Sequence, residues 1–181
     1  MQKLLTIPGA DLSDPLYSQI DAAEAREFGL HLPPKVELHD RLYFLLVEAE
    51  TENLLACGYL KPIQPVLFGP DTFSFLNIGG VIANEKGKGH GKAVMTAMRE
   101  YLLAHDKTGL GFCFPNNKVF YEKCGFQVDP ETTPRFIYRD GDRCYTAEGQ
   151  CVLYLESSDG FMQKVLAKPE WDVFVPDPGI W

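Results

Sequence analysis

The segment "NEKGKGHGKAVM", residues 84–95, sets glycine at alternate positions, Gly87, Gly89 and Gly91, between an apolar run and a run with helical spacing. A solvated turn needs one glycine; alternate glycines point to a backbone that must come close to something. A glycine-rich turn between a strand and a helix offers free backbone N–H groups, and the helix dipole adds partial positive charge. Such a turn suits an anion, a phosphate or pyrophosphate. Lys86, Lys88 and Lys92 add charge, while Gly89 and Gly91 admit a ligand without Cβ clashes. The pattern is neither a GxxxxGK[ST] phosphate loop nor the dinucleotide fingerprint, whose glycine spacing it fails. A lysine-rich surface turn would carry the same letters, so this segment alone leaves both readings open.

The 181 residues fit one domain, 1–181, long enough to bury a core without staples. The net charge of −8 repels phosphate backbones and argues against nucleic acid. It leaves room for a cationic substrate, though acidity serves solubility first. The five cysteines are odd in number and form no CxxC; in apolar runs such as "LLACGYL" they read as reduced core thiols, which predicts a cytoplasmic protein. The four histidines make no HxxxH or HExxH pair, so no metal site is expected. The N-terminus does not read as a signal peptide, and no apolar run is long enough to span a membrane.

Residues 3–7 read as a short strand. "SDPLYSQIDAAEAREFG" reads as a helix with Asp14 as N-cap, Pro15 in its first turn, Gly29 at its end, and Leu16, Ile20 and Ala23 on one face. "RLYFLLVEA" and "NLLACGYLK" form a hairpin, followed by the proline-rich loop 62–70. "TFSFLNIGGVIA", 72–83, reads as one strand. Phe73 and Phe75 keep one parity and Ile78 and Ile82 the other, which predicts a β-bulge, and Gly79-Gly80 marks a close backbone approach. Val94, Met98, Tyr101 and Leu102 predict a helix to about His105. "TGLGFCF" is a strand, and "NNKVFYEKCG" a short helix closed by Gly125. A strand pair turns at Asp140-Gly141, and "GQCVLYLE" is a last core strand before an aromatic tail. The order β-α-β-β-β-α-β-α-β-β predicts a mixed α/β (α+β) fold with a largely antiparallel sheet and crossover helices.

"VFYEKCGF", residues 119–126, places Tyr121 on the short helix after a strand, where a phenol could donate a proton; a core aromatic is the plainer alternative. Taken together, Lys86-x-x-Gly89-x-Gly91, the long helix, the next strand and "FYEKCGF" resemble the GNAT superfamily of N-acetyltransferases. That family's (Q/R)xxGxG/A segment holds the pyrophosphate of acetyl-CoA, and its (L/F)YExxGF signature is matched at 120–126. Lys86 stands where the family prefers Arg or Gln. The resemblance runs from the hairpin at 41 to the strand at 155. It implies the GNAT fold: a twisted, mostly antiparallel sheet of about seven strands flanked by helices and splayed between its fourth and fifth strands.

The resemblance also implies roles. Pantetheine would bond along Gly79, Gly80 and Val81, and a backbone N–H near Gly80 or Val81 would polarise the thioester carbonyl. The pyrophosphate would sit on the N–H groups of Gly87, Lys88, Gly89, His90, Gly91 and Lys92. Tyr121 matches the general acid that protonates the departing CoA thiolate. Where many members carry an Asn that reaches the pantetheine arm, this chain has Phe114, and Asn116 is the candidate kept for that contact. Where some members place a glutamate base, this chain has Asn77, which takes no proton at neutral pH; water, a carboxylate such as Asp71, or an amine of low pKa would serve instead.

The expected reaction is acetyl transfer from acetyl-CoA to a primary amine of a small molecule, an amino sugar or a polyamine-like compound, without metal. A homodimer is the one assembly allowed for; neither nucleic acid nor membrane is expected as a partner. An acyl-CoA sensor without turnover and a protein lysine or N-terminal acetyltransferase are the alternatives. The tail, 157–181, is expected beside the acceptor site, where Glu170, Asp172 and Asp177 would attract a cation. Its end, "PGIW", is similar in its Gly and Trp to the terminus of the aminoglycoside 2′-N-acetyltransferases.

Overall fold

The computed structural model describes residues 1–140 and 143–175. Gly141 of the predicted turn lies outside the described residues, as do Asp177 and the "PGIW" end. The chain begins with β1 (Gln2–Pro8), α1 (Asp14–Phe28), β2 (Leu42–Glu48) and β3 (Leu54–Pro62). Next come β4 (Val66–Phe68), β5 (Asp71–Phe73), β6 (Leu76–Ala83) and α2 (His90–Ala104). Then follow β7 (Gly109–Cys113), α3 (Lys118–Lys123), β8 (Gln127–Asp129) and β9 (Phe136–Asp140). The described chain closes with β10 (Arg143–Thr146), β11 (Cys151–Leu155), α4 (Phe161–Ala167) and β12 (Val173–Val175). One sheet has seven strands in the order β1-β2-β3-β6-β7-β11-β8; a second has five, β10-β9-β12-β4-β5. Packing divides the chain into two compact units, Met1–Lys61 with Gly79–Met98, and Pro62–Ile78 with Arg99–Trp181. β6 and α2 each run from one unit into the other.

In the first unit β1, β2 and β3 pair antiparallel, with Leu5 opposite Leu45 and Leu45 opposite Cys57. The predicted helix face is the buried one: Leu16, Ile20 and Ala23 join Leu45, Val47, Leu54, Cys57 and Ile82 in one core. The N-cap differs from the expectation. Ser13, not Asp14, accepts from the Leu16 N–H at 3.4 Å, because the helix starts one residue earlier than expected and takes Asp14 in as its first residue; the Asp14 carboxylate meets Lys35 Nζ at 2.9 Å. Gly29 ends α1 in the left-handed region at φ 70°, its N–H donating to the Ala25 carbonyl.

The second unit departs more from the sequence reading. Loop 62–70 contains β4, and β4 with β5 forms a hairpin turned at Gly69, φ +59°. The single strand read over 72–83 is broken at Ser74-Phe75, which accounts for part of the parity change. The tail adds α4 and β12, and β12 pairs parallel to β9 and antiparallel to β4, with Phe174 opposite Leu67. Burial holds it there: Phe161, Met162, Val165, Val173 and Val175 are all buried beside Phe68, Phe73, Phe75 and Phe136. Each such side chain contributes about 1.5–3 kcal/mol when fully buried. The Phe161 ring lies 4.9 Å from Phe73 and 5.4 Å from Phe75, within the range of favourable aromatic pairs.

All five cysteines are free thiols; four are buried as expected, whereas Cys144, on the outer strand β10, is exposed. No helix among the described residues is long and apolar enough to cross a membrane.

Candidate functional site

Two glycine pairs carry the motif, and they differ in kind. Gly87 and Gly89 have φ of +83° and +82°, and a Cβ built on either meets nothing within 4 Å. Their backbone angles call for glycine, while the space before them is open. α2 begins at the next residue, His90, so its unpaired first-turn N–H groups stand at this open loop. Gly79 and Gly80 are crowded instead. A Cβ on Gly79 would lie 2.5 Å from the Tyr59 hydroxyl oxygen, and one on Gly80 would lie 2.6 Å from Glu24 Oε1. Gly80 also has φ +58°, an irregularity inside β6 of the kind the parity change predicts.

Around the loop, Lys88 and Lys92 are exposed. Lys86 is bound to Glu27 at 2.8 Å, a surface pair worth about 0–1 kcal/mol and readily exchanged for another anion. The His90 ring is buried and meets Gln2 at 3.1 Å, so toward a ligand at the loop it offers its backbone rather than its imidazole. Val81 is half-buried near the end of β6.

In the second unit, Asn77 is buried and lies opposite Leu110 in β7; with Leu76 and Gly109 this is the extent of the β6–β7 pairing. Asn116 is exposed in a short 3-10 turn, Pro115–Asn117, ahead of α3. Tyr121 is buried on α3, its ring 5.0 Å from that of Phe120. Burial, with the Cys113 and Cys124 thiols nearby, pushes its phenol pKa up. The group therefore holds its proton at neutral pH.

No protein-family model matches the sequence. No curated protein matches it. Solved structures do match. ElaA of Escherichia coli aligns with a TM-score of 0.58 at 17% identity, over 86% of this chain and 100% of that one. An acyl-CoA N-acyltransferase from Pseudomonas aeruginosa aligns with 0.55 at 15% identity, over 84% and 98%. A conserved Enterococcus faecalis V583 protein, a probable N-acyltransferase, aligns with 0.53 at 15% identity over 70% of this chain; the chain spans 32% of that protein's length. The chain has the GNAT fold.

Within the GNAT fold the glycine loop and the start of α2 fall where the sequence resemblance put them, between β6 and a long helix. Sequence reasoning missed Glu24. It lies on the apolar stripe of α1, one turn after Ile20, and is only 8% exposed. A carboxylate in that stripe was the available signal. Burial raises its pKa, opposed by the charge of Arg41 and helped by that of Asp21. Arg41 lies 4.5 Å above the Tyr59 ring and donates to the Tyr43 hydroxyl at 3.4 Å. A separate cavity of about 600 Å³ opens in the second unit among Pro115, Pro130, Glu148 and Gln150; none of the candidate residues lines it.

Proposed function

We propose that the chain is an N-acyltransferase that carries the acetyl group of acetyl-CoA to a primary amine of a small molecule. The observation that carries this reading is the open loop at Gly87 and Gly89. Two left-handed glycines stand before the first turn of α2, and no atom of the described residues lies within 4 Å of a Cβ built on either. Lys88 and Lys92 add positive charge beside it. That is what a diphosphate requires: backbone donors, the positive end of a helix and room.

Acetyl-CoA supplies an activated thioester. The loop N–H groups from Gly87 to Lys92 hold its pyrophosphate. The backbone of Gly79, Gly80 and Val81 bonds the pantetheine arm, and an N–H there polarises the carbonyl. Asn116 stands ahead of α3 as a further contact to the arm, and Asn77 serves as a buried strand residue rather than a base. Tyr121 keeps its proton until the thiolate forms, then gives it up.

The test is calorimetric titration of acetyl-CoA into wild type and two double variants. Gly87→Asn with Gly89→Asn keeps left-handed angles accessible without charge. Gly87→Asp with Gly89→Asp sets two carboxylates against the diphosphate. The Asn pair should bind, and the Asp pair should weaken binding at least about tenfold, roughly 1.4 kcal/mol. Equal binding by the Asp pair would move the diphosphate away from this loop.

A further inference from the structure

The side chain of Glu24 reaches from α1 to the backbone of β6 and stops against Gly80. It is buried, and among the described residues burial and the charges of Arg41 and Asp21, rather than a hydrogen-bond donor, act on its carboxylate. Arg41, whose charge acts on it, makes no direct ion pair with it among the described residues and lies over Tyr59 and Tyr43 instead. Among the described residues the carboxylate is thus neither ion-paired nor spent on a cap. It stands against Gly80, beside which, on the acetyltransferase reading, the thioester lies.

We propose that Glu24 is the base that takes the proton of the acceptor amine; this inference rests on that reading. The acceptor arrives as an ammonium, and one proton passes to Glu24, directly or through one water. The freed lone pair forms the N–C bond to the thioester carbonyl and the C–S bond breaks. The second nitrogen proton leaves as the amide forms, and the CoA sulfur gains one from Tyr121, which is reprotonated in turn. The proton on Glu24 returns to solvent, so amide, free thiol and one proton balance ammonium and thioester. The acceptor class follows: an alkyl amine, protonated at neutral pH, whose cation the carboxylate also attracts.

The groups facing the carboxylate are Arg41, Asp21 on its own helix, Tyr43 on β2 and Cys57 on β3. Tyr59 covers the same glycines. Of these, only Asp21 and Arg41 are charged at neutral pH. Removing Arg41 should therefore move the acid limb of the rate profile to higher pH, since its cation favours the ionised carboxylate.

The experiment measures thiol release from acetyl-CoA by the full chain with a diamine, an amino sugar and aniline, from acid to alkaline pH. Glu24→Gln keeps the shape of the side chain. It should lower kcat/KM for the alkyl amines on the order of 10²-fold at neutral pH. KM for acetyl-CoA should stay within about twofold. Aniline, already a neutral amine at neutral pH and so without an ammonium proton for Glu24 to take, should lose little, and alkaline pH should restore the alkyl amines as they deprotonate. Arg41→Met should shift the acid limb upward. Equal losses for aniline and the alkyl amines, or unchanged alkyl-amine turnover, would overturn the assignment of Glu24 while leaving an active wild type and its transferase reading intact. A wild type that binds no acetyl-CoA and releases no thiol would overturn both.

Discussion

The indole of Trp171 lies directly on the backbone of Gly69: a Cβ built on that glycine would meet the ring at 2.1 Å. The ring also stands 5.5 Å from that of Phe68. Gly69→Ala therefore faces two penalties, a left-handed φ that costs about 1–2 kcal/mol and a ring that must move. Denaturant midpoints should fall, and fall less when the substitution is made in a Trp171→Ala background. A coupling energy near zero in that double-mutant cycle would show that the ring makes way freely.

Arg135 holds the same segment from the other side. Its guanidinium donates to the carbonyls of Val165 at 2.9 Å, Lys168 at 2.6 Å and Trp171 at 2.9 and 2.6 Å, closing the end of α4. Hydrogen bonds from a charged donor contribute about 1.5–3 kcal/mol. Arg135→Met should destabilise by that order, and Arg135→Lys should recover less than half, since an ammonium has no fork. Equal midpoints for Lys and Arg at this position would show that charge alone suffices.

Glu24 gives a pH dependence with a definite sign. Burial raises its pKa above the ordinary 4.5. The folded state then holds the proton more tightly than the unfolded state. The associated stability is fully present below the unfolded value and is lost as pH rises through the folded one. Glu24→Gln should thus be more thermostable than wild type at neutral pH and lose that advantage in acid. A melting difference that grows as pH falls would contradict this sign.

Tyr121→Phe removes a buried proton donor and little volume. On the proposed function kcat should fall on the order of 10²-fold while KM for acetyl-CoA holds. Turnover unchanged in steady-state assays would mean that the thiolate takes its proton from water.

What was legible in the sequence was local. The Leu16, Ile20, Ala23 stripe and the turn at Gly29 follow from spacing, and each is in place; of the glycines read as admitting a ligand, Gly89 is left-handed in the loop, whereas Gly91 is buried in α2 and Gly87 takes the second left-handed position. "FYEKCGF" likewise falls on a short helix with Gly125 after it at φ +85°. β4, β5 and β12 were not legible, because three-residue strands carry no period and their partners lie far along the chain. Glu24 was visible as a letter, but Gly80, Arg41 and Tyr59 reach it from other segments, and only folding brings them there. Asp14 failed as a cap because the helix begins one residue earlier than its spacing suggested, which leaves Ser13 at the cap.

β12 is the middle strand of the five-stranded sheet, with β9 on one side and β4 on the other. As the chain leaves the ribosome, the β4–β5 hairpin emerges early and β9–β10 later, and each waits with one edge unpaired. The strand that joins them is the last described element to be made. A nascent chain stalled before Val173 should accordingly be open to protease at β4 and β9, and one released past Val175 should close both edges in a single step.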